Sequence, residues 1–284
     1  VAKTDGAGTV RLAAADAASG AARKPFLECR TAHYAKLRTL HARFGGGDDA
    51  GDVDERIFCV LARYEALRGA GFQCAVPGAA FDGLRRYLGC TVECFASPLN
   101  CRFERYFSAF PALERSFGSL GSFFDEDAVD ALRSGSFECN PPFVPEVMTF
   151  AARRIQRLLA DASRGPLSFL VVVPDWGGAA SAADAFRRSP FLRARHTVGA
   201  ADHVFVDGAQ HRVPGRHRPS SWDTAVLLLQ NESGSATWPL DSATLASTVD
   251  ASFARAANEG GPAGGPEDLQ AWEARGPARG GKKR

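Results

Sequence analysis

The sequence predicts an α/β fold with a helical layer ahead of the sheet. Two continuous apolar runs of strand length carry that reading. Leu167 to Val173 is bounded by Gly165-Pro166 and Pro174, and Thr224 to Leu229 ends at Gln230-Asn231. Central strands buried on both faces look like this. The third observation is the stretch from Gly135 to Phe143, a short strand that runs into a rigid polar corner. A periodic helix follows it, with Val147, Met148, Ala151, Ile155, Leu158 and Leu159 on one face.

The 284 residues suit one large α/β domain, or one domain with helical decoration. With 45% hydrophobic and 23% charged residues the chain can bury a full core. The net charge of +2 is too small to argue for nucleic acid, so the distribution of charge matters more. Arg153, Arg154 and Arg157 share a helix, and Arg212, Arg216 and Arg218 share a loop. No apolar run approaches the ~20 residues of a membrane span. Seven cysteines without a CxxC pair point to a reducing compartment and to no zinc or other metal site. Cys90, Cys94 and Cys101 read as small buried hydrophobes.

Residues 1–24 start at Val1, are rich in Ala and Gly, and lack a secretory apolar region. They are expected to be disordered, or the start of a truncated segment. Residues 25–90 are expected to form the helical layer. Tyr34, Leu37 and Leu40 predict a helix from Phe26 to Phe44, followed by a loop at Gly45-Gly46-Gly47-Asp48-Asp49. Asp52 or Asp54 caps a second helix whose apolar face is Ile57, Val60, Leu61, Tyr64 and Leu67. Pro77 suits the first turn of a third helix, with Phe81, Leu84 and Leu88 behind it.

The core is expected over 91–257. Thr91 to Phe95 predicts its first strand, which turns out through Ala96-Ser97-Pro98-Leu99-Asn100. An acid at the end of a first strand, then a turn of small residues, is how an α/β domain holds a charged cofactor at its carboxyl edge. Glu93 is therefore a candidate cofactor ligand, set against the plainer reading of a surface strand acid. There is no GxGxxG, so the dinucleotide fingerprint is absent. Arg102 to Phe110 reads as a short helix. Phe117 to Ser122 is a glycine-punctuated turn, and Phe123-Phe124-Asp125 is either a second strand or a loop with an aromatic anchor.

At the end of the apolar run, Trp176 either stacks a base or is a half-buried structural residue. Thr197 to Val206 holds further strand signal. Gln210 to Arg218 is a basic loop with His211, Arg212, Arg216, His217 and Arg218, either solvated or in contact with phosphates. Leu240, Leu245, Val249 and Phe253 predict a closing helix, and 258–284 reads as a disordered basic tail rich in Gly and Pro.

The corner itself is Asn140-Pro141-Pro142-Phe143. Two prolines fix their φ angles and remove two backbone donors, but they keep their carbonyl acceptors. Asn140 adds a side-chain acceptor and Phe143 a flat π-face. An exocyclic amine such as N6 of adenine needs acceptors for its hydrogens and a plane for its ring. The set therefore suits an amino-methyltransferase acting on a nucleobase. The plainer reading is a proline-rich turn with Phe143 as a hydrophobic staple.

Several colinear motifs carry a resemblance. They are Glu93-Cys94-Phe95-Ala96-Ser97-Pro98-Leu99-Asn100-Cys101, Tyr106 with Ser108-Ala109-Phe110-Pro111, Phe117-Gly118-Ser119, and Gly135-Ser136-Phe137-Glu138 with the Asn140 to Phe143 quartet. Pro166 to Phe169, Pro174 with Trp176, and Thr224 to Leu227 with Leu229-Gln230-Asn231 continue it in order. Over roughly residues 55 to 240 the chain resembles the phosphorylated C-terminal-domain interacting factor family, the cap-specific adenosine N6-methyltransferases of messenger RNA. The resemblance implies a Rossmann-like sheet that binds S-adenosyl-L-methionine. It also implies N6 methylation of the 2′-O-methyladenosine beside the 7-methylguanosine cap, with the capped 5′ end of mRNA as partner and the nucleus as location.

On this basis Asn140, Pro141, Pro142 and Phe143 are the expected catalytic residues. The expected cofactor contacts are Glu93, Phe95, Ala96, Ser97 and Pro98, together with Asn140 and Phe143. Glu146, Trp176, His211, Arg212, Arg216 and Arg218 are expected on the substrate side. The family's pattern of two acids after the quartet is only half kept, as Pro145 and Glu146, and Gly177 stands where the family carries an Arg. The chain has no room for a complete WW domain, so association with RNA polymerase II through one is not expected. Two other readings remain open: an adenine N6-methyltransferase on uncapped RNA or DNA, and a catalytically silent RNA-binding paralogue.

Overall fold

The computed structural model describes residues 2–4, 8–15, 18–46, 52–67, 74–126, 132–177, 182–212 and 217–259. Its strands are β1 (Ala2–Thr4), β2 (Thr9–Ala15), β3 (Ala22–Arg30), β4 (Val92–Glu93), β5 (Arg105–Tyr106), β6 (Gly135–Cys139), β7 (Leu167–Asp175), β8 (Leu192–Val198), β9 (Val204–Val206), β10 (His217–Pro219) and β11 (Asp223–Gln230). Its helices are α1 (Thr31–Phe44), α2 (Val53–Leu67), α3 (Gly78–Leu88), α4 (Pro111–Glu114), α5 (Pro145–Ala160), α6 (Ala182–Arg187), α7 (Glu232–Thr237) and α8 (Ser242–Glu259).

The centre is a six-stranded mixed sheet in the order β5-β4-β6-β7-β11-β8. β5, β4, β6 and β7 are parallel, and β11 runs antiparallel between β7 and β8. The apolar runs foreseen in the sequence are β7 and β11, two neighbouring interior strands. β7 sends Phe169, Val171 and Val173 to one face, where Met148, Ile155 and Leu158 of α5 and Phe186 of α6 cover them. It sends Leu170 and Val172 to the other, under Leu84 and Leu88 of α3 and Leu245, Val249 and Phe253 of α8. Both faces must be covered because both carry apolar side chains, each worth about 2 kcal/mol when fully buried.

Polar groups lock the far end of this centre. Asn231 caps α7 by accepting from the Gly234 N–H, and the same oxygen accepts from the Leu167 N–H at 3.0 Å. Its amide donates to the Gly165 carbonyl at 2.9 Å. Gly234 lies so close to β7 that a Cβ there would sit 2.1 Å from the Leu167 carbonyl oxygen.

Ahead of the sheet the structure departs from expectation. Within 1–24 the described residues form β1, β2 and the start of β3, an antiparallel meander rather than a disordered segment. Val10 and Leu12 of β2 and Cys29 of β3 are buried against Leu37, Leu40, Ile57, Val60 and Leu61 of α1 and α2. That tertiary burial outweighs the weak local propensity of an Ala/Gly-rich segment. Phe26 to Arg30 belongs to β3, so the first helix starts only at Thr31 and the 25–90 layer is partly strand.

Smaller differences follow. Pro77 is the residue before α3 rather than within its first turn. The first core strand is only Val92–Glu93. Arg102 to Phe110 is not helical but holds bends around the short strand β5, and the helix comes after it, at Pro111. Phe123 to Asp125 is a loop. Part of the foreseen basic loop, His217 to Pro219, is strand β10, paired with β9. Arg216, Gly178 and the tail from residue 260 lie outside the described residues.

Candidate functional site

β4 and β6 end side by side, and the chain leaves them through the Ala96–Asn100 turn and the Asn140–Phe143 corner. Between these exits lies a cavity of about 440 Å³, the size of a small-molecule site. Glu93, Phe95, Ala96 and Ser97 line it from the β4 side, and Glu138, Asn140, Pro141 and Pro142 from the β6 side. Phe107, Phe123 and Phe124 supply aromatic wall, and Tyr64 of α2 and Cys74 to Val76 close the remaining sides. Among the described residues the lining holds two carboxyl groups and no Lys, Arg or His.

Those two carboxyls belong to one ladder. Glu93 and Glu138 are direct partners in the parallel pairing of β4 with β6, so both side chains stand on the same face. Glu93 is 4% exposed and Glu138 1%. Glu93 Oε1 accepts from the backbone N–H groups of Arg102 and Phe103, both at 2.7 Å. Burial pushes its carboxyl up to about 7, although these two bonds and the charges of Lys36 and Arg102 pull the other way. Burial, and then the Glu93 carboxyl beside it, push Glu138 well above the usual carboxylate range. Its Oε1 has no hydrogen-bond partner. Two carboxyls buried side by side favour the protonated form, Glu138 above all.

Asn140 sits one residue past β6 and is 9% exposed. Its Nδ2 donates to the Cys74 carbonyl at 2.9 Å, whereas Oδ1 is buried and has no partner. The bond to Cys74 fixes the sense of the amide, because the flipped side chain would set two oxygens against each other. The result is a preoriented neutral acceptor on the cavity wall. The prolines hold it there: Val144 N–H donates to the Pro142 carbonyl at 2.6 Å, and α5 begins at Pro145 with Val144 as its cap residue.

The Ala96–Asn100 turn is held by its own side chains. Asn100 Oδ1 accepts from the Ser97 N–H at 2.8 Å and from Ser97 Oγ at 3.0 Å. The Ser97 carbonyl accepts from the Cys101 N–H at 2.8 Å. Ala96 N–H donates to the Phe107 carbonyl at 3.0 Å, which ties the turn to the segment leaving β5.

The structure does not gather every expected residue at the cavity. Phe143 lies outside the lining and meets Phe205 edge-on at 5.5 Å, within the second core cluster. Pro98 is buried outside the lining, and Glu146 is exposed on the first turn of α5. Trp176 packs against the main core cluster from the end of β7. His211 is buried, and burial lowers its imidazole to about 4. Arg212 pairs with Glu65 at 2.6 Å, and Arg218 with Asp207 at 3.1 Å. The foreseen basic loop is thus largely engaged with the fold.

Three features in or behind the cavity wall escaped the sequence reading. Cys74, whose carbonyl orients Asn140, lies 66 residues away in the chain. Glu138 appeared only as a letter in a motif, since its chemistry comes from pairing with Glu93 across the sheet. Lys36 is fully buried on α1, donates to the Cys101 carbonyl at 2.7 Å and acts on the Glu93 carboxyl. The strand-end acid motif was the one local signal for this group. Among the described residues no cluster of three or more His, Cys, Asp or Glu is arranged to hold a metal ion.

Comparison with known proteins bears on the same residues. The family described as phosphorylated CTD interacting factor 1 WW domain matches residues 36–208, from α1 to the turn after β9. A human protein named mRNA (2′-O-methyladenosine-N(6)-)-methyltransferase is 40% identical over 192 residues, covering 64% of this chain and 27% of its own length. A mouse protein of the same name is 37% identical over 217 residues, covering 72% of this chain and 30% of its own. The chain therefore spans less than a third of the length of either relative. A family match over more than half of the chain, which takes in both walls of the cavity, makes this chain a member of the phosphorylated CTD interacting factor family.

Proposed function

We propose that this chain carries a Rossmann-like, S-adenosyl-L-methionine-dependent methyltransferase centre acting on N6 of adenosine in RNA. Residues 91–257 would form its core. The observation that carries the proposal is the unpartnered Asn140 Oδ1 on a cavity whose described lining holds two carboxyls and no basic side chain. Ligands of open α/β sheets lie at the carboxyl ends of parallel strands, where this cavity opens. A phosphorylated nucleotide does not suit such a wall. A ligand with an apolar adenosine and a cationic tail does, so the residues present fit the cofactor.

When bound, S-adenosyl-L-methionine supplies a methyl group on a positively charged sulfur. Glu93 and Glu138 would hold the cationic end, giving up protons as they do so. Phe95, Phe107, Phe123 and Phe124 would exclude water and enclose the apolar part. Asn140 Oδ1 and the Pro141 carbonyl would accept the hydrogens of the target amine and so aim its lone pair. Positioning of this kind, with preorganised acceptors, supplies most of the rate gain for a direct transfer. Phe143, seated against Phe205, would brace the corner. The base must arrive unpaired or flipped out.

The two relatives are named for 2′-O-methyladenosine in mRNA, which makes the adenosine beside the cap the first substrate to test. The ion pairs of Arg212 and Arg218 favour a second reading, adenosine in uncapped RNA or DNA, because both guanidinium groups already have carboxylate partners. Methyl transfer from labelled cofactor to capped and uncapped oligonucleotides, followed by nucleoside analysis, separates the two. Label in N6-methyl-2′-O-methyladenosine from capped RNA alone supports the first reading. Equal label from uncapped substrates supports the second, and no label in adenosine overturns both.

A further inference from the structure

Outside the cavity, α5 exposes a stripe that the mechanism above does not use. Phe150, Arg153 and Arg157 stand on its outer face at helical spacing, and Phe150 is 57% exposed. With Phe124, Gln156 and Phe191 they line an open groove of about 840 Å³. Phe124, 41% exposed, belongs to this groove and to the cavity wall at once, so the two adjoin there. From Phe150 to Arg157 the helix rises by roughly 10 Å. The one nearby acid among the described contacts, Glu126, is held by the buried Arg154 at 2.7 Å and lies 3.7 Å from Arg157.

We propose that this groove is the path for single-stranded RNA flanking the target adenosine, with bases stacking on Phe150 and Phe124 and phosphates meeting Arg153 and Arg157. The inference rests on the proposed activity. Exposed aromatic rings interleaved with arginines are what an unpaired strand needs, because each base offers a π-face and each phosphate a charge. An apolar or acidic peptide would use either the rings or the charges. Only a strand whose reacting base enters the cavity also explains why Phe124 is shared.

The test uses the whole chain with Phe150→Ala and with Arg153→Ala/Arg157→Ala. All three residues are exposed and lie outside the proposed catalytic machinery. Fluorescence anisotropy with a labelled single-stranded oligonucleotide gives affinity across a salt series. Turnover is compared on a minimal adenosine substrate and on the same substrate with a single-stranded extension. Loss of one stacked base should weaken oligonucleotide binding by about 10-fold, within the span measured for such contacts. The arginine pair should lower the salt slope by about 1.4. Both variants should raise KM for the extended substrate and leave KM for the minimal one, and cofactor affinity, unchanged. Unaltered oligonucleotide binding in both variants would overturn the groove. So would equal effects on the minimal and extended substrates. Absence of methyl transfer by the wild type would instead refute the proposed activity, and anisotropy would still decide the groove.

Discussion

Replacing Glu138 by Gln should change how the stability of the free protein depends on pH. Glu138 is 1% exposed beside Glu93, its Oε1 is unpartnered, and burial holds its carboxyl well above the ordinary 4.5. A carboxyl that stays protonated in the fold but ionises on unfolding lets the folded state bind more protons. The stabilisation is complete below 4.5 and declines as pH rises toward the folded-state value. Between about pH 5.5 and 7.5 the slope for one group is at most ~1.4 kcal/mol per pH unit, reached while Glu138 stays protonated in the fold. Glu93, moved up to about 7, acts in the same direction. Gln copies the shape of the neutral acid and cannot ionise. Urea unfolding across this range should show a steep fall in the wild type and a shallower one in Glu138→Gln. The variant should be the more stable protein at the upper end. Parallel curves, or a variant less stable at pH 7.5, would mean that Glu138 is ionised and paired in the folded state, and would refute the reasoning.

The same pair predicts the pH dependence of cofactor binding. Calorimetry should show S-adenosyl-L-methionine binding more tightly as pH rises from about 6 to 8, with a reduced dependence in Glu138→Gln, because a cation displaces protons from the two carboxyls. Glu93→Gln should keep an acceptor for the Arg102 and Phe103 N–H groups, preserve the fold and weaken cofactor binding about 10-fold. Glu93→Ala should in addition lower the melting temperature, since it leaves two buried donors unmatched at ~1–3 kcal/mol each. Gly118, at φ +104 with the Glu104 carbonyl 2.3 Å from where a Cβ would stand, should not tolerate Ala. Chemical denaturation of Gly118→Ala should show a loss of at least ~2 kcal/mol.

What the sequence made legible was local. The apolar runs of β7 and β11, the Asn140 corner and the face of α5 each announce themselves within a dozen residues, and each lies where it was expected. The acid ending β4 and the small-residue turn after it were read as a cofactor wall, and both line the cavity. What escaped was non-local. β2 and β3 gain their stability from burial under α1 and α2, which an Ala- and Gly-rich segment does not advertise. The Glu93–Glu138 pair exists only through the register of two strands separated by more than forty residues. Arg212 and Arg218 looked like free charges until Glu65 and Asp207 came alongside. Phe143 read as a π-face from its place in the Asn140–Phe143 quartet, with an apolar anchor as the plainer reading, and its ring turns to Phe205 in the core.

The central claim is that Asn140 Oδ1 aims the target amine, and the single-turnover rate of Asn140→Ala tests it most directly. Asn140 contributes one hydrogen bond to the fold, to the Cys74 carbonyl. The melting temperature should therefore move little, and cofactor affinity should stay within a few-fold of wild type. Loss of one preorganised hydrogen-bonding group should slow methyl transfer by roughly 10²-fold or more. A rate near that of the wild type, measured with cofactor and RNA both saturating, would contradict the account and move the amine-holding group elsewhere in the cavity.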